Sequence, residues 1–377
     1  MPDERLAAVS DSNLVVPDAV LDDLRRRLQN TRWPSVVEGQ GWARGTDLDY
    51  LSELVDYWRT DFDWRAQEVA LSRFTHERVG VSDVSLHQIH ERATDPNATA
   101  VVLLHGWPDS FLRYTKALPL LDTFHRVVPS LPGFGFSERP TTPGWTPARM
   151  ADAVAELMTA NGYDRFLVSG GDVGSSVAEQ LARRHPDRVI ALHLTDVPYT
   201  HLFSVDPAEL TEAERAYLAA GQQWQMSEGA YALIQSTKPT TAAVGLADSP
   251  AGLAAWIVEK LRSWSDCDGQ LERRFSRDEV LTWVTLYWVT NTIGSSFIPY
   301  VEYQPGDDSE VTVPTGVTIF PKDLVTAPRV FAERFFNIVR WTELPVGGHF
   351  TAWEEPEAFA RELTALARDV VPQVGHG

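Results

Sequence analysis

The sequence predicts an α/β protein: a mostly parallel central sheet with helices on both faces, a helical lid inserted into it, and a helical extension before it. Three observations predict this. Apolar strand runs alternate with amphipathic helices from about 76 to 200 and again after about 304. Between those stretches the alternation stops, and aromatic-rich helical patterns take over. Within the first stretch, a strand run passes through a glycine-rich turn directly into a helix. Alternation of this kind implies crossover helices that cover both faces of a parallel sheet. The predicted division is 1–75 for the extension, 76–200 and 304–377 for the two parts of the core, and 201–303 for the lid.

The extension opens with a capped amphipathic helix over 17–32. Pro17 and Asp18 start it, Val20, Leu21, Leu24 and Leu28 recur at helical spacing, and Trp33-Pro34 ends it. A second helix over 47–59 carries Leu48, Leu51, Leu54, Val55 and Trp58 on one face. This segment has no acid–base cluster and reads as a packing module. From 74 to 79 and from 84 to 90, apolar and polar residues alternate as in half-buried strands. A buried strand over 98–104 ends at His105-Gly106-Trp107-Pro108, and another over 126–129 leads into a Pro132-Gly133-Phe134-Gly135 loop. A helix over 147–161, a strand over 165–168, a helix over 174–184 and a strand over 189–194 complete the run. Strands at 314–320 and 338–341 resume the pattern after the lid, and a helix over 356–370 closes it.

A chain of 377 residues is too long for one small domain and suits a large core with an inserted module. A net charge of −19 argues against nucleic acid and anionic membrane surfaces as partners. One cysteine, Cys267, excludes an internal disulfide and suits a reducing compartment. The N-terminus lacks a basic region followed by an apolar run, and no stretch of about 18 apolar residues occurs. The expectation is a cytoplasmic protein without a membrane anchor.

The chemistry concentrates at Ser169-Gly170-Gly171-Asp172-Val173-Gly174-Ser175. This is the Gly-x-nucleophile-x-Gly turn of the α/β-hydrolase fold, with Asp172 where most members carry serine. A serine there attacks acyl carbonyls. A carboxylate suits attack on an electrophilic sp³ carbon, because the resulting alkyl ester can be hydrolysed later. The base should be a histidine late in the chain. Of ten histidines, only His349 combines that position with flanking glycines and a preceding strand. The acid that orients it should end a strand between nucleophile and base. Asp323 fits better than Asp196, and Asp307 reads as a solvated turn. Oxyanion donors are expected at the amides of Trp107 and Val173, while His105 reads as structural. Epoxide opening also needs phenols opposite the nucleophile. Spacing alone does not rank Tyr231, Tyr287, Tyr300 and Tyr303.

These residues resemble the epoxide hydrolases that carry an N-terminal helical extension, the group of the microsomal and juvenile-hormone enzymes and their fungal and bacterial relatives. The resemblance runs through Val16-Pro17 to Trp33-Pro34, His105-Gly106-Trp107-Pro108, the Asp172 turn, Gln235-Ser236-Thr237-Lys238-Pro239, Leu286-Tyr287-Trp288, Phe320-Pro321-Lys322-Asp323 and Gly347-Gly348-His349-Phe350. It implies Tyr231 and Tyr300 as the ring-opening phenols, with Tyr303 as fallback, and supports Asp323 as the orienting acid. It further implies an epoxide substrate, apolar or aromatic given the lid, no metal or organic cofactor, and a possible homodimer. Two other readings stay open at this stage. A haloalkane dehalogenase shares the Asp–His pair but usually carries tryptophan after the nucleophile, where this chain has Val173. A catalytically silent ligand-binding member would use the same fold.

Overall fold

The computed structural model describes residues 14–304 and 309–371. Three helices come first: α1 (Asp18–Gln29), α2 (Leu48–Thr60) and α3 (Trp64–Leu71). The last of these is a separate element absent from the sequence-based expectation. Strands β1 (His76–Val81), β2 (Val84–Glu91), β3 (Ala100–Leu104) and β4 (His125–Pro129) follow, then α4 (Pro147–Ala160), β5 (Phe166–Gly170), α5 (Val173–Arg184) and β6 (Val189–Leu194). Among the described residues, six α-helices stand between β6 and the next strand: α6 (Glu212–Ser227), α7 (Ala230–Thr237), α8 (Pro239–Asp248), α9 (Pro250–Trp264), α10 (Arg277–Thr290) and α11 (Ile298–Val301). The chain then returns through β7 (Val311–Ile319), α12 (Arg329–Ala332), β8 (Phe336–Glu343), α13 (Thr351–Glu354) and α14 (Pro356–Val370).

The strands form one sheet in the order β1-β2-β4-β3-β5-β6-β7-β8. β1 and β2 pair antiparallel, as do β2 and β4; the other pairs are parallel. This is an α/β-hydrolase fold. β3 and β5 are buried along their whole lengths, as central parallel strands covered on both faces must be. Their C-terminal ends lie side by side, with Leu104 paired to Gly170. That places the loop after β3 next to the turn after β5.

The N-terminal helices bind the helical insertion. The Arg27 guanidinium donates to the Asp248 carbonyl and carboxylate, Thr46 to the Ala255 carbonyl, and the Tyr57 hydroxyl to Asp278. The apolar faces of α1 and α2 are buried through Leu21, Leu24, Leu28, Leu51, Leu54 and Trp58. Among the described residues, no single helix is long and apolar enough to cross a membrane.

Candidate active site

Asp172 caps the N-terminus of α5 with φ 58° and ψ −129°. A non-glycine residue in that region is strained by about 1–3 kcal/mol, and such strain persists only where neighbours enforce it. Here they do. The Asp172 N–H donates to Asp196 Oδ1 at 2.8 Å, and the Ser175 hydroxyl reaches both the Asp172 carbonyl at 2.6 Å and Asp196 Oδ2 at 2.9 Å. The turn also depends on missing side chains. A Cβ on Gly174 would lie 2.1 Å from the Leu104 carbonyl oxygen, and one on Gly106 would lie 2.3 Å from the Asp172 carboxylate. Glycine at both places lets the β3 loop close onto the carboxyl group.

That closure gives Asp172 Oδ1 two backbone donors, Trp107 N–H at 2.8 Å and Val173 N–H at 2.6 Å. Asp172 Oδ2 faces His349 Nε2 at 3.2 Å, and His349 Nδ1 meets Asp323 Oδ1 at 2.7 Å. Burial raises the Asp172 carboxyl, but His349 and the two amides outweigh it and hold it below the usual value. Burial likewise disfavours a charged His349, yet Asp323 and Asp172 on its two sides push it well above the ordinary histidine range. The site at rest is therefore an ionised aspartate, an imidazolium and a second aspartate in line. Asp196 does not contact the imidazole nitrogens; it holds the turn. Burial first, and then the Asp323 charge, push its carboxyl up to about 7.

A cavity of about 410 Å³ opens over Asp172, His349, Asp323 and Asp196. Tyr231 on α7 and Tyr300 on α11 line it, with their ring centroids 6.0 Å apart at 77°. The Trp107 ring stacks on Tyr231 (5.0 Å, 9°) and meets Tyr300 edge-on (6.0 Å, 86°). Burial, and for Tyr231 next the Asp172 charge, raise both phenols far above 10, so both keep their protons. Tyr287 points elsewhere, donating to the Asp109 carbonyl at 2.7 Å. Tyr303 lies at the cavity edge, 40% exposed. His105 ties the β3 loop to the Leu131 amide at 3.0 Å. Asp307 lies outside the described residues. Among the described residues, no three histidine, cysteine or acidic side chains group as a metal site.

Sequence reasoning missed several contributors. Tyr199, Trp224, Val197 and Leu324 line the cavity. Arg113, buried against Asp109, donates to the His349 carbonyl at 2.7 Å. Nothing in the local sequence marks Arg113, since its role lies in a contact 236 residues away.

Comparison with known proteins identifies the family and the fold. A family described as the epoxide hydrolase N terminus matches residues 9–114, and the alpha/beta hydrolase fold family matches 99–281. A Stigmatella aurantiaca (strain DW4/3-1) relative is 39% identical across 96% of this chain and 85% of its own. Epoxide hydrolase 1 of Sus scrofa is 32% identical, covering 96% of this chain and 90% of its own. The structure of an enantioselective mutant of epoxide hydrolase from Aspergillus niger superposes with a TM-score of 0.87 at 29% identity, over 96% of this chain and 97% of that one.

Proposed function

The chain belongs to the α/β-hydrolase epoxide hydrolases and converts an epoxide and water to a vicinal diol through an aspartyl ester; from that premise we propose how its own residues divide the work. Asp172 Oδ2, the carboxylate oxygen without an amide donor, attacks one ring carbon from the face opposite the C–O bond. That bond breaks, and Tyr231 and Tyr300 hydrogen-bond the departing oxygen and supply its proton. The alkyl group then sits on Asp172 as an ester, with Oδ1 as its carbonyl oxygen in the Trp107 and Val173 amides. With Asp172 neutral as an ester, the imidazolium gives up its proton, which restores the phenol that protonated the ring oxygen. The neutral His349, held by Asp323, then takes a proton from water, which attacks the Asp172 carbonyl carbon. The amides hold the tetrahedral oxyanion. Losing one such donor typically costs about 100- to 1,000-fold. Collapse breaks the bond between the Asp172 carbon and the alkyl-bearing oxygen, the His349 imidazolium protonates that oxygen, and the new Asp172 carboxylic acid returns its proton to the imidazole. One oxygen of the released diol thus comes from Asp172.

One observation carries this reading: the two oxygens of Asp172 are unequal. Oδ1 has two amide donors at 2.6 and 2.8 Å, and Oδ2, among the described residues, has only His349 at 3.2 Å. A carboxylate so divided has one oxygen ready to be a carbonyl and one ready to bond carbon. The cavity's apolar lining, with Trp224, Val197, Leu324 and Val325, supports an apolar or aromatic epoxide. His349→Gln tests the scheme. The variant should stop after the first step and carry a mass adduct on Asp172 equal to the substrate. Normal turnover by His349→Gln would remove His349 from the role of base.

A further inference from the structure

All four amides of the loop that carries His349 are hydrogen-bonded. Gly347 N–H donates to Asp266 Oδ2 at 3.0 Å and His349 N–H to the Trp264 carbonyl at 2.8 Å. Gly348 N–H and Phe350 N–H, on either side of the histidine, both donate to Glu354, at 3.1 Å to Oε2 and 3.0 Å to Oε1. Glu354 Oε2 also accepts the Asp266 N–H at 2.7 Å. One carboxylate thus receives the two amides flanking the histidine and a third from the insertion, just past α9. Loop and insertion touch backbone to backbone, since a Cβ on Gly348 would lie 2.6 Å from the Asp266 nitrogen.

The Glu354 side chain is wholly buried, and Arg274 Nε is 3.9 Å away. Burial pushes its carboxyl up to about 7, against the pull of the amides and Arg274. A carboxylate here costs stability relative to a neutral group of the same shape. In return, each oxygen holds one flanking amide, and a neutral glutamine would turn an amide N–H toward one of those donors.

We infer that Glu354 is a positioning residue for His349, setting the ring's approach to the Asp172 ester through the backbone on both sides of it. The inference rests on His349 being the base of the second step. It therefore makes a claim that a purely structural role does not: Glu354 matters for ester hydrolysis and hardly for ester formation.

The test is rapid-quench turnover of styrene oxide with intact-protein mass detection of the Asp172 ester. Glu354→Gln should slow ester hydrolysis by about 10- to 100-fold, the range a misplacement near 1 Å produces. Ester formation should stay near wild type, so ester accumulates in the steady state and kcat and KM fall together. Thermal unfolding should be somewhat lowered, because one buried amide loses its acceptor, so both proteins are assayed below the variant's melting temperature. Glu354→Asp keeps the charge and should recover part of the hydrolysis rate. Wild-type hydrolysis in folded Glu354→Gln, or equal slowing of both steps, would overturn the inference. If Glu354→Gln does not fold, Glu354→Asp is read in the same way: selective slowing of hydrolysis supports the inference, and any other pattern overturns it. His349→Gln run alongside separates the two layers. An ester that persists there while Glu354→Gln clears it normally refutes Glu354 alone, whereas no ester in His349→Gln refutes the reading beneath.

Discussion

At the scale of single residues, the site's charge changes sign of purpose during the cycle. With the Asp323 and Asp172 carboxyls on its two sides outweighing its burial, His349 is pushed up to about 10, holds a proton and is no base. Alkylation converts Asp172 to a neutral ester and removes one of the two charges that kept the proton on. The imidazole's affinity for that proton then falls, and a neutral base becomes available when water must be activated. The order of the two steps is thus built into the pairings at 3.2 and 2.7 Å. Asp172→Asn imitates the ester's charge without substrate. It should lower the His349 pKa by at least about one unit, the equivalent of about 1.4 kcal/mol, read from imidazole resonances in an NMR titration. An unchanged pKa would mean that Asp323 alone holds the proton.

At the scale of elements, two helices of the insertion each bring one phenol to the same point, Tyr231 from α7 and Tyr300 from α11. Both phenols line the cavity over Asp172, so either can hydrogen-bond an alkoxide when its partner is lost. Tyr231→Phe and Tyr300→Phe singly should each slow ester formation in part. The double variant should lose about 10²- to 10⁴-fold, the usual contribution of acid catalysis, with an unchanged circular-dichroism spectrum; retained ring opening there would refute the pair. How legible these elements are in the sequence follows from where their information lies. The strand–turn–helix around Asp172 is written in adjacent residues, because its glycines and its nucleophile all serve one local geometry. His349 is readable for the same reason, directly after two glycines and after β8. The tyrosines sit in helices where a phenol looks like any packing aromatic, and only the resemblance to a family separated them from Tyr287 and Tyr303. Asp196 and Asp323 both end strands, so sequence could favour one but not assign the other. The structure puts Asp196 on the Asp172 amide, 24 residues back. Glu354 reads as one more acidic residue near a helix start, because the amides it serves become its partners only when the insertion folds over the core.

At the scale of the whole molecule, the insertion is held from two sides: by the N-terminal helices through Asp248, Ala255 and Asp278, and by the His349 loop through Trp264 and Asp266. The charges buried by this closure set how stability responds to pH. Burial first raises Asp196 and Glu354 to about 7 each, while unfolded carboxyls titrate near about 4. From about pH 4 to 7 the folded chain therefore keeps protons that the unfolded chain has released, and stability falls as pH rises. His349 acts in the same direction at higher pH. Its burial is outweighed by Asp323 and Asp172, which push it up to about 10, against about 6.5 unfolded. Its contribution is complete below about pH 6.5 and is lost as pH rises through about 10. A net charge of −19 adds self-repulsion of the same sign. On the acid side, Arg334 holds Glu214 down to about 2, a contribution present above about pH 4.5 and lost as pH falls through about 2. The melting temperature should accordingly peak in mildly acidic buffer and decline steadily toward pH 10. His349→Gln, which deletes the raised imidazole, should flatten the decline between about pH 6.5 and 10 while leaving the slope below it in place. Differential scanning calorimetry of both proteins across that range decides it. A wild-type melting temperature that rises from pH 6 to 10, or an identical slope in His349→Gln, would mean that the Asp172–His349–Asp323 charges are not what titrates with folding.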